Sequence, residues 1–317
     1  MFLVTIVLII FVIWVFCKLT CGICKNSKHL VGKTIIVTGG NAGIGYETAK
    51  DLAERGAKVI LACRSETRGV AARDRIVAVT ANPDVYYRHL DLASLNSVRH
   101  FADAIIKSEE RLDVLINNAG CYAADFQYTE DGLLLKMQNN HFGPFLLTNL
   151  LLPLIKTSAP SRIINVSSLA HVGGVIDFDN LNGEKETEET YNELKVYCIS
   201  KLCNILTTVE LERRLKGTGV TVNSLHPGIV ATGLGSDNWL ASNFLFYLKA
   251  FWKSPWEGAQ TTIHLAVAPE LATTSGRYFE DCAEVSPSKQ AQDVNLVRRL
   301  WEESERLVQF KATAASK

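Results

Sequence analysis

Tyr197 and Lys201 are four positions apart, a spacing that places both side chains on one face of a helix. An unperturbed tyrosine has a pKa of about 10 and is a poor base at neutral pH. A neighbouring ammonium favours the phenolate and lowers that pKa. Such a pair could pass a proton between an alcohol and a carbonyl oxygen, with Tyr197 as the acid or base. The spacing alone is common, and an ordinary pair on a helix surface would also explain it.

Other polar side chains follow the ends of short, β-branched segments that we interpret as strands. Parallel strands end at one edge of a sheet, where open α/β sheets bind ligands. The order of these side chains along the chain therefore predicts one site that they share with Tyr197 and Lys201. They are Asn118 after the fourth strand, Ser168 after the fifth, Thr232 after the sixth, and Asn140 in the helix between; Pro227 and Gly228 form the turn that follows the sixth strand.

A glycine-rich turn links the first predicted strand to the first helix. It consists of Gly39, Gly40, Asn41, Ala42, Gly43, Ile44 and Gly45. Glycines allow a tight turn and the close approach of a pyrophosphate, which the free N–H groups of the helix N-terminus then bind. The turn therefore predicts a dinucleotide site. Its G-x-x-x-G-x-G spacing departs from the general G-x-G-x-x-G fingerprint, so a loop that is glycine-rich only for tight packing is the alternative.

Two residues bear on how the dinucleotide is held. Arg64 follows the second strand, where NAD-binding chains tend to place a carboxylate. Its forked cation suits a 2′-phosphate, and no carboxylate competes before Glu66, so we predict NADP(H) over NAD(H). Asp91 follows the third strand, where it could accept a hydrogen bond from the adenine amino group or cap the next helix.

Apolar strand segments alternate with helical segments from Lys33 onward, a pattern typical of a parallel sheet covered on both faces. We predict a Rossmann-like, doubly wound α/β fold with one dehydrogenase/reductase domain over residues 33–317. Lysine plus arginine equals aspartate plus glutamate at 33 each, which gives no charge pattern for nucleic-acid binding. The predicted strands are Thr34–Thr38, Lys58–Ala62, Val85–His89, Asp113–Asn117, Arg162–Ser167, Val220–Leu225 and Arg277–Glu280.

The almost unbroken apolar run Phe2–Cys17 predicts a membrane-anchor helix over residues 1–20, followed by a juxtamembrane linker over residues 21–32. A cleaved signal peptide is the alternative, but no Lys or Arg precedes the run and no clear A-x-A site follows it. Lysines lie on the C-terminal side of the run, which places the catalytic domain in the cytosol. We expect the endoplasmic reticulum, with lipid-droplet and mitochondrial membranes as alternatives.

The eight cysteines are scattered rather than set in a compact framework, and we interpret the later five as reduced thiols. Cys21 and Cys24 have no second pair of Cys or His at zinc spacing, so we expect no metal site. Together with Cys17 they lie at the predicted membrane edge. They could be acylated there, or they could be ordinary small apolar residues at the end of a helix.

These motifs resemble the short-chain dehydrogenase/reductase family, classical type. The resemblance covers about residues 33–280 and rests on TGGNAGIG, NNAG, the serine before YCISK, and PG, in that order. It implies nicotinamide-dependent exchange between an alcohol and a carbonyl. It also implies that Ser168, the second serine of its pair, binds the substrate oxygen and that Tyr197 is the acid/base. Lys201 would then lower the Tyr197 pKa and bind the nicotinamide ribose. Asn140 would hold a water of the proton relay, and Thr232 would contact the nicotinamide carboxamide.

Tyr197 lies 29 positions after Ser168, further than is usual in the family, and the acidic run Glu184–Glu189 falls between them as a predicted surface loop. Five features resemble the retinol dehydrogenase branch of the family: this spacing, the N-terminal apolar run, and the segments ACR, NHFGPFLLTNLLLP and NVSSLAH. That resemblance implies a membrane-bound, NADP(H)-dependent enzyme that acts on retinoids. The alternatives are a steroid or lipid aldehyde as substrate, or a nucleotide-bound membrane scaffold with little turnover.

The apolar, aromatic segment Trp239–Trp252 could be a lid over a lipophilic substrate, a helix on the bilayer, or ordinary core. His141, His171 and His226 lie near motifs. Since a lone histidine beside a core element is more often packed than catalytic, none of the three receives a catalytic role. A homo-oligomer is compatible with the sequence.

Overall fold

The computed structural model describes residue 15 and residues 18–122, 124–231 and 252–310. Its strands are β1 (Thr34–Thr38), β2 (Lys58–Cys63), β3 (Val85–His89), β4 (Val114–Asn117), β5 (Ser161–Val166), β6 (Val220–Leu225), β7 (Tyr278–Glu280) and β8 (Ala283–Val285). They form one eight-stranded sheet in the order β3-β2-β1-β4-β5-β6-β7-β8. The first seven strands pair in parallel, and β8 pairs antiparallel with β7.

Helices cover both faces of this sheet. They are α1 (Gly43–Glu54), α2 (Glu66–Thr80), α3 (Leu95–Ser108), α4 (Gly143–Thr157), α5 (Glu193–Leu215), α6 (Pro255–Val267) and α7 (Val294–Leu307). A single turn, Leu135–Met137, and a π-helical segment, Gln138–Phe142, run directly into α4. The described residues also form short 3₁₀ helices between the longer elements, at Leu169–Gly173, Pro269–Leu271 and Lys289–Gln292.

Each face of the sheet has its own apolar core, because successive side chains of a strand point to opposite faces. In β1, Ile36 packs on the side of α3, α4, α5 and α7, whereas Ile35 and Val37 pack on the side of α1, α2 and α6. All three side chains are fully buried. A strand that is buried on both faces must be apolar at successive positions, which is why the β1 sequence shows no alternation.

The predicted Rossmann-like parallel sheet and its single domain are confirmed. β1, β3 and β6 have the predicted bounds, and the ends of the other predicted strands differ by one residue. β8 and α7 lie beyond the last predicted strand. α7 buries Val297, Leu300 and Trp301 in the core beside α5, so the C-terminal part of the chain completes one face of the domain.

The segment before β1 lies along α6 and the turn between β7 and β8. The Lys18 ammonium is 2.6 Å from a carboxylate oxygen of Glu257, and the Gly22 N–H donates to Asp281 over 3.0 Å. No helix within the described ranges is long and apolar enough to cross a membrane. The apolar run Phe2–Cys17 falls almost wholly outside those ranges, so the anchor and the linker that follows it remain predictions.

Candidate active site

A cavity of about 190 Å³ opens at the carboxyl edge of the sheet, beside the ends of β1, β2 and β4. Four of the residues predicted to bind a cofactor line it together: Gly39, Asn41, Arg64 and Asp91. They come from the turns after three different strands, and the parallel topology brings those turns to one edge.

The glycine turn fits closely against the end of β4, in a way that only glycine allows. Gly39 has a φ of +66°, and a Cβ on Gly45 would lie 2.4 Å from the Asn118 amide nitrogen and 2.5 Å from the Gly39 carbonyl oxygen. The Asn118 amide in turn donates to the Thr38 carbonyl over 2.8 Å. Asn118 therefore holds the glycine turn in place from the neighbouring strand.

The N-terminus of α1 is suited to an anion. Its N-cap residue is Ala42, and no side chain caps the first turn. The first N–H groups of a helix have no partner within the helix, so here they point from the turn without a side-chain acceptor. With the adjacent glycines, this arrangement fits the pyrophosphate of a dinucleotide.

Two arginines form the outer wall of the cavity. Arg64 follows β2, and Arg68, in the first turn of α2, lies beside it in the lining together with Ser65. Both arginines are exposed, and in the described part of the chain neither pairs with a carboxylate. Arg68 was not among the residues predicted to bind the cofactor. Its position four residues after Arg64 was the available clue, since it places a second cation near the first.

Asp91 is not the cap of α3. Ser94 occupies that position and accepts a hydrogen bond from the Ser97 N–H over 3.3 Å. The Asp91 carboxylate instead accepts from the Ala93 N–H over 3.0 Å and borders the cavity. The capping alternative is therefore wrong, and a role toward the cofactor stays a prediction.

The structure brings Ser168, Tyr197 and Lys201 together. Tyr197 and Lys201 occupy successive turns of α5, and the Lys201 ammonium lies 5.6 Å from the centre of the Tyr197 ring. The same ammonium donates to the Val166 carbonyl over 3.1 Å. The Ser168 hydroxyl, just after β5, lies near enough to the Tyr197 phenol to act on it and lowers its pKa. The neighbouring Ser167 is buried and donates to the Lys201 carbonyl over 2.7 Å, so it holds β5 against α5.

The net direction of the Tyr197 pKa is opposite to the one expected from the charge of Lys201. Burial raises the pKa of the phenol and outweighs the lowering by Ser168. Burial also lowers the pKa of Lys201 to about 8, because the ammonium is enclosed with little compensating negative charge. Removal from water therefore dominates the pKa of both groups, and the prediction that Lys201, together with the oxidised nicotinamide, lowers the Tyr197 pKa stays a prediction.

Asn140 lies in the π-helical segment and uses its side chain inside the protein. Its amide oxygen accepts from the Cys121 N–H over 2.8 Å, and its amide nitrogen donates to the Cys121 carbonyl and the Ser200 hydroxyl. Pro144, four residues on, has no N–H, so it cannot supply the usual helical donor to the Asn140 main-chain carbonyl. Interruptions of this kind are frequent at functional sites.

Gly228 turns the chain after β6 with a φ of +85°, and its N–H donates to His226 over 2.9 Å. Pro227 precedes it in the same turn. Thr232 and nearly all of Trp239–Trp252 lie outside the described residues. The described chain pairs Val230 with Lys253 across that gap. The predictions for Thr232 and for the aromatic segment are therefore untested.

Two further side chains beside Tyr197 were not predicted. The ring of Tyr122 meets the Tyr197 ring edge-on, with 5.2 Å between centres. Lys136 is fully buried, lies over the rings of Tyr122 and Tyr191, and donates to the Glu193 carbonyl over 3.0 Å. A lysine within the apolar run LLLKM, four residues before Asn140, was the clue that the sequence offered.

A tyrosine–lysine pair beside a dinucleotide cavity is the arrangement of a nicotinamide-dependent oxidoreductase. Residues 33–180 match the family model of short chain dehydrogenases. The chain is 50% identical to retinol dehydrogenase 13 of Homo sapiens over 92% of its own length and 89% of that protein. It is 47% identical to retinol dehydrogenase 11 of Homo sapiens, over 90% and 89%. It therefore belongs to the short-chain dehydrogenase/reductase family, in the retinol dehydrogenase branch.

Solved structures agree with this assignment. An uncharacterized protein from Mycobacterium paratuberculosis superposes with a TM-score of 0.72 at 34% identity, over 90% of this chain and 96% of that one. The RhlG/NADP active-site complex of Pseudomonas aeruginosa superposes with a TM-score of 0.63 at 28% identity, over 79% and 95%. The protein is thus an oxidoreductase that acts on CH–OH groups.

Proposed function

We propose that the protein interconverts retinol and retinal with NADP(H). The observation that carries the proposal is the contact of Ser168 and Lys201 with Tyr197 at the edge of the dinucleotide cavity. Relatives that share about half of its residues over nine-tenths of the chain are named retinol dehydrogenases.

The cavity supports NADP(H) over NAD(H). Gly39 to Gly45 and the α1 N-terminus would hold the pyrophosphate, with Asn118 fixing the turn from behind. Arg64 and Arg68 would bind the 2′-phosphate, for which their planar, forked cations are suited. Asp91 would accept from the adenine amino group, and Pro227, Gly228 and Thr232 would border the nicotinamide. The complex of the Pseudomonas aeruginosa relative contains NADP.

Tyr197 would move the proton. When bound, the nicotinamide supplies or accepts the hydride, and its oxidised form adds a positive charge beside the phenol. In reduction Tyr197 donates a proton to the carbonyl oxygen, which Ser168 holds by a hydrogen bond. In oxidation it must accept a proton, and this requires a lower pKa than burial alone gives it. The combined positive charge of Lys201 and the oxidised dinucleotide would provide that lowering.

Asn140 would hold the water that returns the proton to this site. Because its amide is already bonded to Cys121 and Ser200, the group it would offer to water is its main-chain carbonyl. Lys201 would connect that water to Tyr197 and would bind the nicotinamide ribose.

The cellular location that we propose for the protein rests on the apolar run near its N-terminus. We propose that residues 1–20 anchor the protein in the endoplasmic reticulum membrane, with the catalytic domain in the cytosol. The close relatives named retinol dehydrogenases support a lipophilic, retinoid substrate, which a membrane would concentrate.

Membranes that contain the protein test this function directly. Retinal, a steroid ketone and a medium-chain lipid aldehyde are supplied in turn with NADPH, and product formation is compared with Tyr197→Phe. We expect retinal to give the highest kcat/KM and Tyr197→Phe to lose at least about 100-fold, the usual range for a general acid. A higher kcat/KM for another carbonyl would replace the substrate, and equal rates for the variant would overturn the mechanism.

A further inference from the structure

His171 lies in the 3₁₀ helix that directly follows Ser168, and the proposed reaction does not use it. It is buried, with 2% of its surface exposed. Its Nδ1 is 2.8 Å from the Ser168 carbonyl oxygen, and its Nε2 is 3.1 Å from the Ser288 backbone nitrogen. Each ring nitrogen therefore has a main-chain partner, and the Tyr278 hydroxyl also lies 3.4 Å from Nδ1.

These two partners fix the tautomer of the ring. A carbonyl oxygen only accepts and a backbone N–H only donates, so Nδ1 must carry the hydrogen and Nε2 must be the acceptor. Burial lowers the pKa of His171, which favours this neutral form. The Tyr278 ring meets the imidazole edge-on, with 5.0 Å between centres, and prevents it from turning away.

The bonds of His171 determine where Ser168 stands. Ser168 has an extended backbone, and its hydroxyl oxygen accepts from the Ala170 N–H over 3.2 Å. The Ser168 carbonyl accepts from the His171 backbone N–H over 3.1 Å as well as from the imidazole, so the side chain adds a second bond at this end of the residue, and the hydroxyl hydrogen remains for the phenol or the substrate oxygen. Ser288 lies in the chain after β8, so the imidazole joins the serine turn to the C-terminal part of the domain.

From these contacts we propose that His171 is a positioning residue for Ser168: a neutral imidazole that clamps the serine turn to the Ser288 N–H. This proposal rests on the proposed function in one respect, because the role of Ser168 in binding the substrate oxygen comes from that function. Neither ring nitrogen is left to touch substrate, so His171 acts through the serine.

Ser288 provides a matched pair of variants. Ser288→Pro removes the N–H, and because the proline Cδ lies where that hydrogen pointed, it also displaces the imidazole; the φ of −56° at Ser288 is one that proline adopts. Ser288→Ala keeps the N–H and removes a hydroxyl that has no hydrogen-bond partner among the residues that the structure describes. We expect Ser288→Pro to lower kcat about five- to tenfold, the usual effect of one hydrogen bond, with the KM for NADPH unchanged. Ser288→Ala should match wild type.

Variants of the ring itself complete the test. His171→Asn places an amide N–H where Nδ1 stands and should retain more activity than His171→Phe, which has no donor. A readout without turnover is the ultraviolet titration of the Tyr197 phenol with NADP⁺ bound, taken as the difference from Tyr197→Phe. Since Ser168 lowers the Tyr197 pKa, His171→Phe and Ser288→Pro should move that titration to higher pH.

The outcomes separate the two proposals. If the wild type reduces none of the carbonyls, the proposed function fails, and the phenol titration still decides the role of His171. If Tyr197 titrates at the same pH in wild type, His171→Phe and Ser288→Pro, the positioning role is overturned. Equal losses in His171→Asn and His171→Phe would also overturn it, because they would make the effect one of ring packing.

Discussion

The preference for NADPH should depend on two arginines rather than one. Arg64 and Arg68 line the same wall of the cavity and are exposed, so each contact to a 2′-phosphate falls at the low end for a charged hydrogen bond, about 1.5 kcal/mol or about tenfold in affinity. Because both cations would share one phosphate, their effects should be less than additive. We expect the KM for NADPH to rise about tenfold in each single alanine variant and between about tenfold and about 100-fold in the double variant.

The assay is the KM for NADPH and for NADH with one carbonyl substrate. Only the NADPH value should rise, because NADH has no 2′-phosphate. Arg73→Ala is the matched control: it removes an arginine of the same helix that pairs with Asp74 outside the cavity. The reasoning is refuted if the ratio of the two KM values changes less than about threefold in Arg64→Ala/Arg68→Ala, or if Arg73→Ala changes it equally.

Three further predictions follow from buried contacts. Gly45→Ala should weaken dinucleotide binding at least about tenfold, because its Cβ would lie 2.4 Å from the Asn118 amide nitrogen and 2.5 Å from the Gly39 carbonyl oxygen; fluorescence titration measures the binding, and no loss would refute the prediction. Lys136→Met should leave the melting temperature equal or higher, because removing the buried cation removes a desolvation cost that its 3.5 Å pair with the half-exposed Glu193 offsets only in part; a lower melting temperature would contradict this. Burial lowers the His141 pKa to about 3, so below about pH 6 the unfolded chain binds a proton that the folded chain does not. The free energy of unfolding should therefore fall by about 1.4 kcal/mol for each pH unit as the pH drops from about 6 toward the pKa of about 3. When this free energy is measured by urea unfolding at a series of pH values, it should depend less steeply on pH in His141→Gln than in wild type.

The sequence predicted the fold because its determinants are local. The β-branched run Thr34–Thr38 and the glycines that follow it specify a buried strand and a tight turn without help from the rest of the chain. The strand order then brings Asn118, Ser168 and Gly228 to one edge. Residue types and their positions along the chain were enough to place these side chains near each other.

The electrostatics of the site could not be predicted in the same way. The direction of the Tyr197 pKa depends on how far burial outweighs the charge of Lys201, and the spacing of the two residues contains no information on burial. The bonds of His171 and Lys136 join segments that are 117 and 57 positions apart in sequence. Contacts of that range are determined by tertiary packing, so the sequence gives only a hint of them, such as a lysine in an apolar run.

The central claim is that Tyr197 exchanges the proton, with its pKa lowered only when Lys201 and the oxidised dinucleotide act together. The pH dependence of retinol oxidation with NADP⁺ measures it most directly. The account predicts a rate that rises with pH to a plateau, with a midpoint well below the pKa of free tyrosine, and no such rise in the residual rate of Tyr197→Phe. The same rising limb in wild type and Tyr197→Phe would contradict it.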